Sequence, residues 1–137
     1  MIQIVLRPSL GAAALCSPAS VSSTDKVVQT DLGRYLPTAS AGVRPAPATE
    51  LAQYGGARLF RGKRVLDIGT GDGRLALGAA LWAREVVGLD PDPSAIKVAR
   101  AGARRMRARN ARFVVGPAQE LPFRDGAFDI VILSWTL

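Results

Sequence analysis

One nine-residue segment, Val65-Leu66-Asp67-Ile68-Gly69-Thr70-Gly71-Asp72-Gly73, limits what this chain can fold into more than any other. A β-type run ends on three glycines at alternate positions, and an apolar, alanine-rich run of helical type follows. Glycine at such a turn admits positive φ and lets a ligand approach the backbone with no Cβ in the way. The start of the following helix is expected to offer unpaired N–H groups and the positive end of its dipole. The spacing departs from the dinucleotide pattern G-x-G-x-x-G, whose third glycine would stand at position 74. That residue is Arg74, and the glycine lies one place earlier. Asp67 adds a negative charge two residues before the first glycine. It repels a pyrophosphate and attracts an ammonium or sulfonium group.

The segments around this turn alternate in type. Arg64–Ile68 and Glu85–Leu89 read as strands, with Gly73–Ala83 between them as a helix. Asp92 is an expected N-cap with Pro93 at the first helical position. The helix it starts is expected to reach about Arg109, with Asn110 as the left-handed C′ residue. Ile96, Ala99, Ala103 and Met106 would form its apolar face. Arg112–Val115 and Phe128–Leu133 read as two further strands. Alternating strands and helices imply an α/β fold, a Rossmann-like, doubly wound parallel sheet covered on both faces. Asp90 ends the second of these strands, 21 residues after Gly69. An acid about 20 residues beyond such a turn can accept from both hydroxyls of a ribose.

Composition removes several alternatives. The 137 residues contain no histidine and one cysteine, Cys16. Catalytic triads that need histidine and His-ligated zinc are excluded, as is an intrachain disulfide, and no metal site is expected. The longest apolar stretch, Leu75–Ala83, is nine residues including a glycine, far short of the roughly 20 that cross a membrane. The first fifty residues read as a poorly structured leader and linker. Met1–Leu6 is apolar, Ser9–Ser20 is rich in small residues, and Pro37–Glu50 carries three prolines. A signal peptide built on Arg7 and Leu10–Cys16 fits poorly, since an apolar segment stands where a basic one belongs. A cytoplasmic location is the expectation.

These residues together resemble the class I S-adenosylmethionine-dependent methyltransferases, of the type-11-like kind. To the glycine turn and Asp90 the chain adds Leu121-Pro122-Phe123 and Phe128-Asp129-Ile130-Val131, and the likeness runs from Arg64 to Leu137. The resemblance implies S-adenosyl-L-methionine as cofactor and assigns roles to particular residues. Asp67 would face the amino group of its methionine part, and Gly69, Thr70, Gly71 and Gly73 would form the turn around it. Asp90 would hold the ribose hydroxyls and Pro91 would pack on the adenine. Ala118 would present its backbone N–H to an adenine ring nitrogen, and Ser134 would lie near the methyl group. The family often carries an acid where Pro117 stands, and proline cannot replace its bond to the adenine amino group. No general base is evident. Methyl transfer is an in-line displacement governed by positioning, so the lack of histidine is no obstacle. Trp82 is expected in the core, Asp72 in the loop or first helical turn, and Cys16 inert.

A small-molecule acceptor is the expected partner. The alternative is a basic RNA-binding chain, or an incomplete and non-catalytic one. Between Pro93 and Gln119 stand seven cations and no acid. Lys97, Arg100, Arg104 and Arg107 share one helical face, which would meet a polyanion. The simpler reading is a solvated helix face. The resemblance also implies that 51–137 forms the cofactor-binding half of a larger domain, cut after its fourth strand. That strand would then present an open apolar edge, to be covered by missing neighbours or by a partner.

Overall fold

The computed structural model describes residues 2–6, 27–28 and 47–134. The elements in chain order are β1 (Ile2–Leu6), β2 (Val27–Val28), α1 (Pro47–Ala52), α2 (Gly56–Phe60) and β3 (Arg64–Ile68). They continue with α3 (Arg74–Ala79), β4 (Glu85–Asp90), α4 (Pro93–Arg105), β5 (Ala111–Val115) and β6 (Ile130–Ser134). One sheet takes the order β2-β1-β6-β3-β4-β5. The four strands β6, β3, β4 and β5 are parallel, as alternation with helices requires, and β1 and β2 are antiparallel additions.

Side chains along each strand divide between two cores. Val65, Val86, Phe113, Ile130 and Ile132 pack with Leu51, Phe60, Leu75 and Ile96, so all four helices contribute to this core. Leu66, Ile68, Val87 and Leu89 point to the opposite face and meet Phe123 and Phe128. These two rings touch edge to face at 5.1 Å. The expected parallel α/β sheet is therefore present. Among the described residues, however, its second face is covered by the segment 116–129 and not by helices.

Four local expectations are corrected. Helix α4 ends at Arg105, not near Arg109, because the chain turns in a Schellman motif. Ala108 N–H donates to Ala103 O and Arg107 N–H to Arg104 O. The left-handed residue is Arg107, at φ 54°, and not Asn110. The Asn110 side-chain amide instead donates to Ala80 O and Ala83 O at 2.8 and 3.0 Å. Met106 consequently leaves the apolar face, which consists of Ile96, Ala99, Gly102 and the partly buried Ala103, and is exposed. Helix α3 covers only 74–79 of the expected 73–83, and Trp82, beyond its end, is half-buried and stacks on Phe60. The start of α4 is as expected: Ser94 N–H donates to Asp92 Oδ1, and Pro93 opens the helix.

The first fifty residues are not uniformly unstructured. Residues 2–6 form β1, antiparallel to β6 and paired from Ile2↔Ser134 to Leu6↔Ile130. The edge expected to stand open is thus covered by the chain itself. Alternation explains why this segment serves, since Ile2 and Ile4 enter the helix-side core at 3% and 1% exposure. Residues 47–50, expected in the linker, open α1, whose Pro47 and Leu51 lie against Gly78 of α3. Cys16 lies outside the described residues.

An ionic clasp sets the register at the other end of β6. Arg64 N–H donates to Asp129 Oδ2 at 2.9 Å, and Asp129 N–H returns a bond to Arg64 O. The Arg64 guanidinium reaches both carboxylate oxygens and Gly126 O. Burial pushes the Asp129 carboxyl up, but the Arg64 hydrogen bonds and the charges of Arg64 and Lys63 hold it below its ordinary 3.8.

Ile4→Ala should cost about 2–4 kcal/mol in urea unfolding; a change below about 0.5 kcal/mol would mean that β1 does not cover β6 in solution. A carboxyl lowered by folding stabilises the fold above its unfolded pKa, and the gain drains away as pH falls through the lower folded value. Asp129→Asn should therefore reduce stability near neutral pH by a modest amount, the pair being partly exposed. It should also flatten the acid limb of the stability curve below about pH 4. An acid limb unchanged by the substitution would rule out this clasp as its cause.

Candidate active site

The turn after β3 is built from its glycines upward. Gly69, Gly71 and Gly73 all have positive φ, at 73°, 56° and 80°, where a Cβ would be strained. That backbone path doubles back over β4. Gly69 N–H and Thr70 N–H both donate to Leu89 O, at 2.8 and 3.0 Å, and Gly73 N–H closes on Thr70 O. Gly71 N–H donates to Asp90 Oδ2 at 2.9 Å. The sequence suggested unpaired N–H groups here, ready for an anion. The fold instead uses the N–H groups of all four of these residues internally, and Arg74 N–H donates to Asp72 Oδ1. With these donors engaged the loop is a poor match to a phosphate cradle, which agrees with the displaced third glycine.

Two carboxylates flank the turn. Asp67 is fully buried and its Oδ2 accepts from Thr70 Oγ1 at 2.8 Å. Asp90 is half-buried, and its second oxygen, Oδ1, accepts from Asp92 N–H at 2.9 Å. A carboxylate has about four lone-pair positions, so each Asp90 oxygen retains one for a ligand after these two bonds. Burial and two N–H donors hold its orientation.

Beside Asp90 lies a cleft of about 210 Å³ lined by Ile68, Gly69, Leu89, Pro91 and Gly116–Gln119. Most of its lining residues are apolar. It is smaller than a complete small-molecule pocket of roughly 300–1,000 Å³, and suits one planar ring. The fold thus brings Gly69, Pro91 and Ala118 into one cleft, with Thr70, Gly71, Gly73 and Asp67 forming the turn beneath and Asp90 between the two. Ser134 ends β6 one residue past the Ile68↔Leu133 pair, level with the turn; its side chain lies outside the described residues.

Two residues escaped the sequence reading. Gln119 lines the cleft next to Ala118, with an amide where Pro117 offers none. Only its position three residues beyond Gly116 could have signalled it. Gly88 lies on β4 under the turn. A Cβ there would stand 2.5 Å from Phe113 Cδ1 and 2.7 Å from Thr70 Oγ1. It resembled an ordinary weak residue in a strand, because the atoms that need its space come from β5 and from the turn.

A family model described as "Methyltransferase domain" matches residues 65–137, more than half of the chain. The chain belongs to this methyltransferase family. It is 41% identical over 68 residues to the uncharacterised methyltransferase YcgJ of Bacillus subtilis, covering 50% of this chain and 27% of that protein. The crystal structure of YcgJ superposes with a TM-score of 0.54 at 34% identity, over 61% of this chain and 35% of that one. A ribosomal protein L11 methyltransferase of Geobacter metallireducens is 35% identical over 85% of this chain and 36% of its own length. A demethylmenaquinone methyltransferase of Thermus thermophilus is 44% identical over 53% of this chain and 34% of its own. The chain thus spans about a third of the length of such relatives. Among the described residues of this methyltransferase-family chain, no helix is long and apolar enough to cross a membrane.

Gly88→Ala should destabilise the fold by about 1–3 kcal/mol through overpacking, measured by denaturant unfolding. Full stability in that variant would show that the turn and β5 are looser than the contacts at Gly88 require.

Proposed function

We propose that this chain binds S-adenosyl-L-methionine and supplies the donor half of a methyl transfer to a small-molecule acceptor. The observation that carries the reading is Asp90, held by Gly71 N–H and Asp92 N–H beside the cleft. A carboxylate at that point suits the two hydroxyls of a ribose, and a flat apolar cleft next to it suits the attached base. The bound cofactor supplies a sulfonium-activated methyl group.

The residues of the chain bind and orient. Asp67 and Asp90 provide negative potential for a cationic ligand, and a turn whose N–H groups are engaged internally does not select phosphate. Pro91 would pack on the adenine and Ala118 N–H would meet a ring nitrogen. The Gln119 amide oxygen would be available to the adenine amino group, a role Pro117 cannot fill. Ser134 marks the end of the site from which the methyl group leaves.

The charge at this end of the sheet, where Asp67, Asp72, Asp90 and Asp92 cluster around strand ends and turns, supports an acceptor that is not a polyanion. Phosphates of a nucleic acid are repelled there. Two relatives named for a ribosomal protein and for demethylmenaquinone share this region with the chain. The donor-binding region therefore serves unlike acceptors, and acceptor choice belongs to other segments.

Titration calorimetry with S-adenosylhomocysteine tests the reading. The chain should bind it, and Asp90→Ala should weaken binding by about 10- to 150-fold, the equivalent of about 1.5–3 kcal/mol for hydrogen bonds to a charged group. Folded protein that binds none, or Asp90→Ala with unchanged affinity, would overturn it.

A further inference from the structure

The parallel topology separates charge along the strand axis. The C-terminal ends of β3 and β4 carry the aspartates of the donor site. The N-terminal ends, at the opposite side of the sheet, carry cations that lie far apart in the sequence. Lys63 precedes β3, Arg84 precedes β4, and Arg109 and Arg112 frame the start of β5. Those strands are neighbours in the order β3-β4-β5, so the cations form a row with steps of about 5 Å. Arg84 N–H donates to Lys63 O at 2.9 Å, and Val86 N–H to Asn110 O at 2.8 Å, which fixes the row.

The row surrounds a concavity of about 300 Å³ lined by Arg84, Glu85, Arg109, Asn110, Ala111 and Arg112. Its wall is preformed, since the Asn110 amide ties β5 to the 80–83 turn. Acids at the strand starts cancel only part of the charge. Glu85 pairs with Arg112 at 3.2 Å and Asp129 with Arg64. Lys63, Arg84 and Arg109 are exposed and form no ion pair among the described residues. The helix face singled out from sequence is the weaker candidate, because Arg100 Nη2 and Nε donate to Phe113 O and are committed to the free edge of β5.

We propose that this concave row is a docking surface for the phosphodiester backbone of a nucleic acid, independent of the methyl-donor site and at the opposite end of the sheet. Arginine matches phosphate bidentately, and a row of cations suits a strand with one charge per roughly 3.4 Å of axis. No aromatic side chain lines the concavity, so the grip is on the backbone and carries no base preference. The aspartates at the donor end keep the strand away from the methyl group, which makes the polymer an anchor and not the acceptor.

Fluorescence anisotropy with a labelled single-stranded RNA of about 20 nucleotides, repeated at several salt concentrations, tests this. The wild-type chain should bind with a steep salt dependence. A triple variant, Arg84→Gln with Arg109→Gln and Arg112→Gln, should bind at least about tenfold more weakly near 0.1 M salt. Its log–log salt slope should fall by about 1.4, two unpaired cations at about 0.7 each, since Arg112 is already paired with Glu85. The corresponding Arg→Lys triple should retain most of the slope. Lys97→Gln with Arg104→Gln should bind within about twofold of wild type, and S-adenosylhomocysteine affinity should be the same in every variant. The proposal is overturned if the Gln triple binds RNA as wild type does. Equal loss in the helix-face pair would also overturn it, as would binding to phosphatidylserine vesicles but not to RNA.

Discussion

The carboxylate of Asp90 is the point on which the described structure converges. It accepts from Gly71 in the glycine turn and from Asp92 at the head of α4, while its own backbone carbonyl accepts from Gly116 after β5. Three connections at the C-terminal end of the sheet are thereby tied to one residue. Charge-assisted bonds of this kind are roughly twice as strong as neutral ones. The residues on either side of it, Leu89 and Pro91, line the neighbouring cleft, so one side chain organises both the turn and the approach to that cleft.

Consumption of the turn's N–H groups decides what class of ligand the site suits. A glycine-rich turn before a helix is commonly a phosphate site because its donors are free. Here Leu89 O, Thr70 O and Asp90 satisfy them within the protein. Buried backbone donors need partners, and β4 lies close enough to provide them because Gly88 leaves space for Thr70 and Phe113. What remains is the buried Asp67, the half-buried Asp90 and a small apolar slot, the combination on which the proposed cofactor rests.

Much of this was legible in the sequence where local chemistry suffices. Pro93 after Asp92 marked a helix start, and Asp92 caps it. Alternate glycines require positive φ wherever they occur. Apolar periodicity located β3, β4 and β5 to within a residue at either end. Legibility failed where a partner distant in sequence decides. Arg107 takes the left-handed position because Asn110 is held by Ala80 and Ala83. Residues 2–6 resembled an idle leader until β6 presented an unpaired edge of matching alternation. Gln119 became part of the cleft only once β5 was placed beside β4.

By itself the sequence determined the α/β alternation, the glycine turn, the 21-residue interval that sets Asp90 beyond it, and the membership that these imply. Each is a property of neighbours along the chain. Tertiary structure alone decided that the turn keeps its donors, that β1 closes the sheet beside β6, and that unpaired cations gather at the strand starts. The last of these follows from parallel pairing. Parallel strands place every strand start on one side, so Lys63, Arg84 and Arg109 stand in one row although 46 positions separate the first from the last.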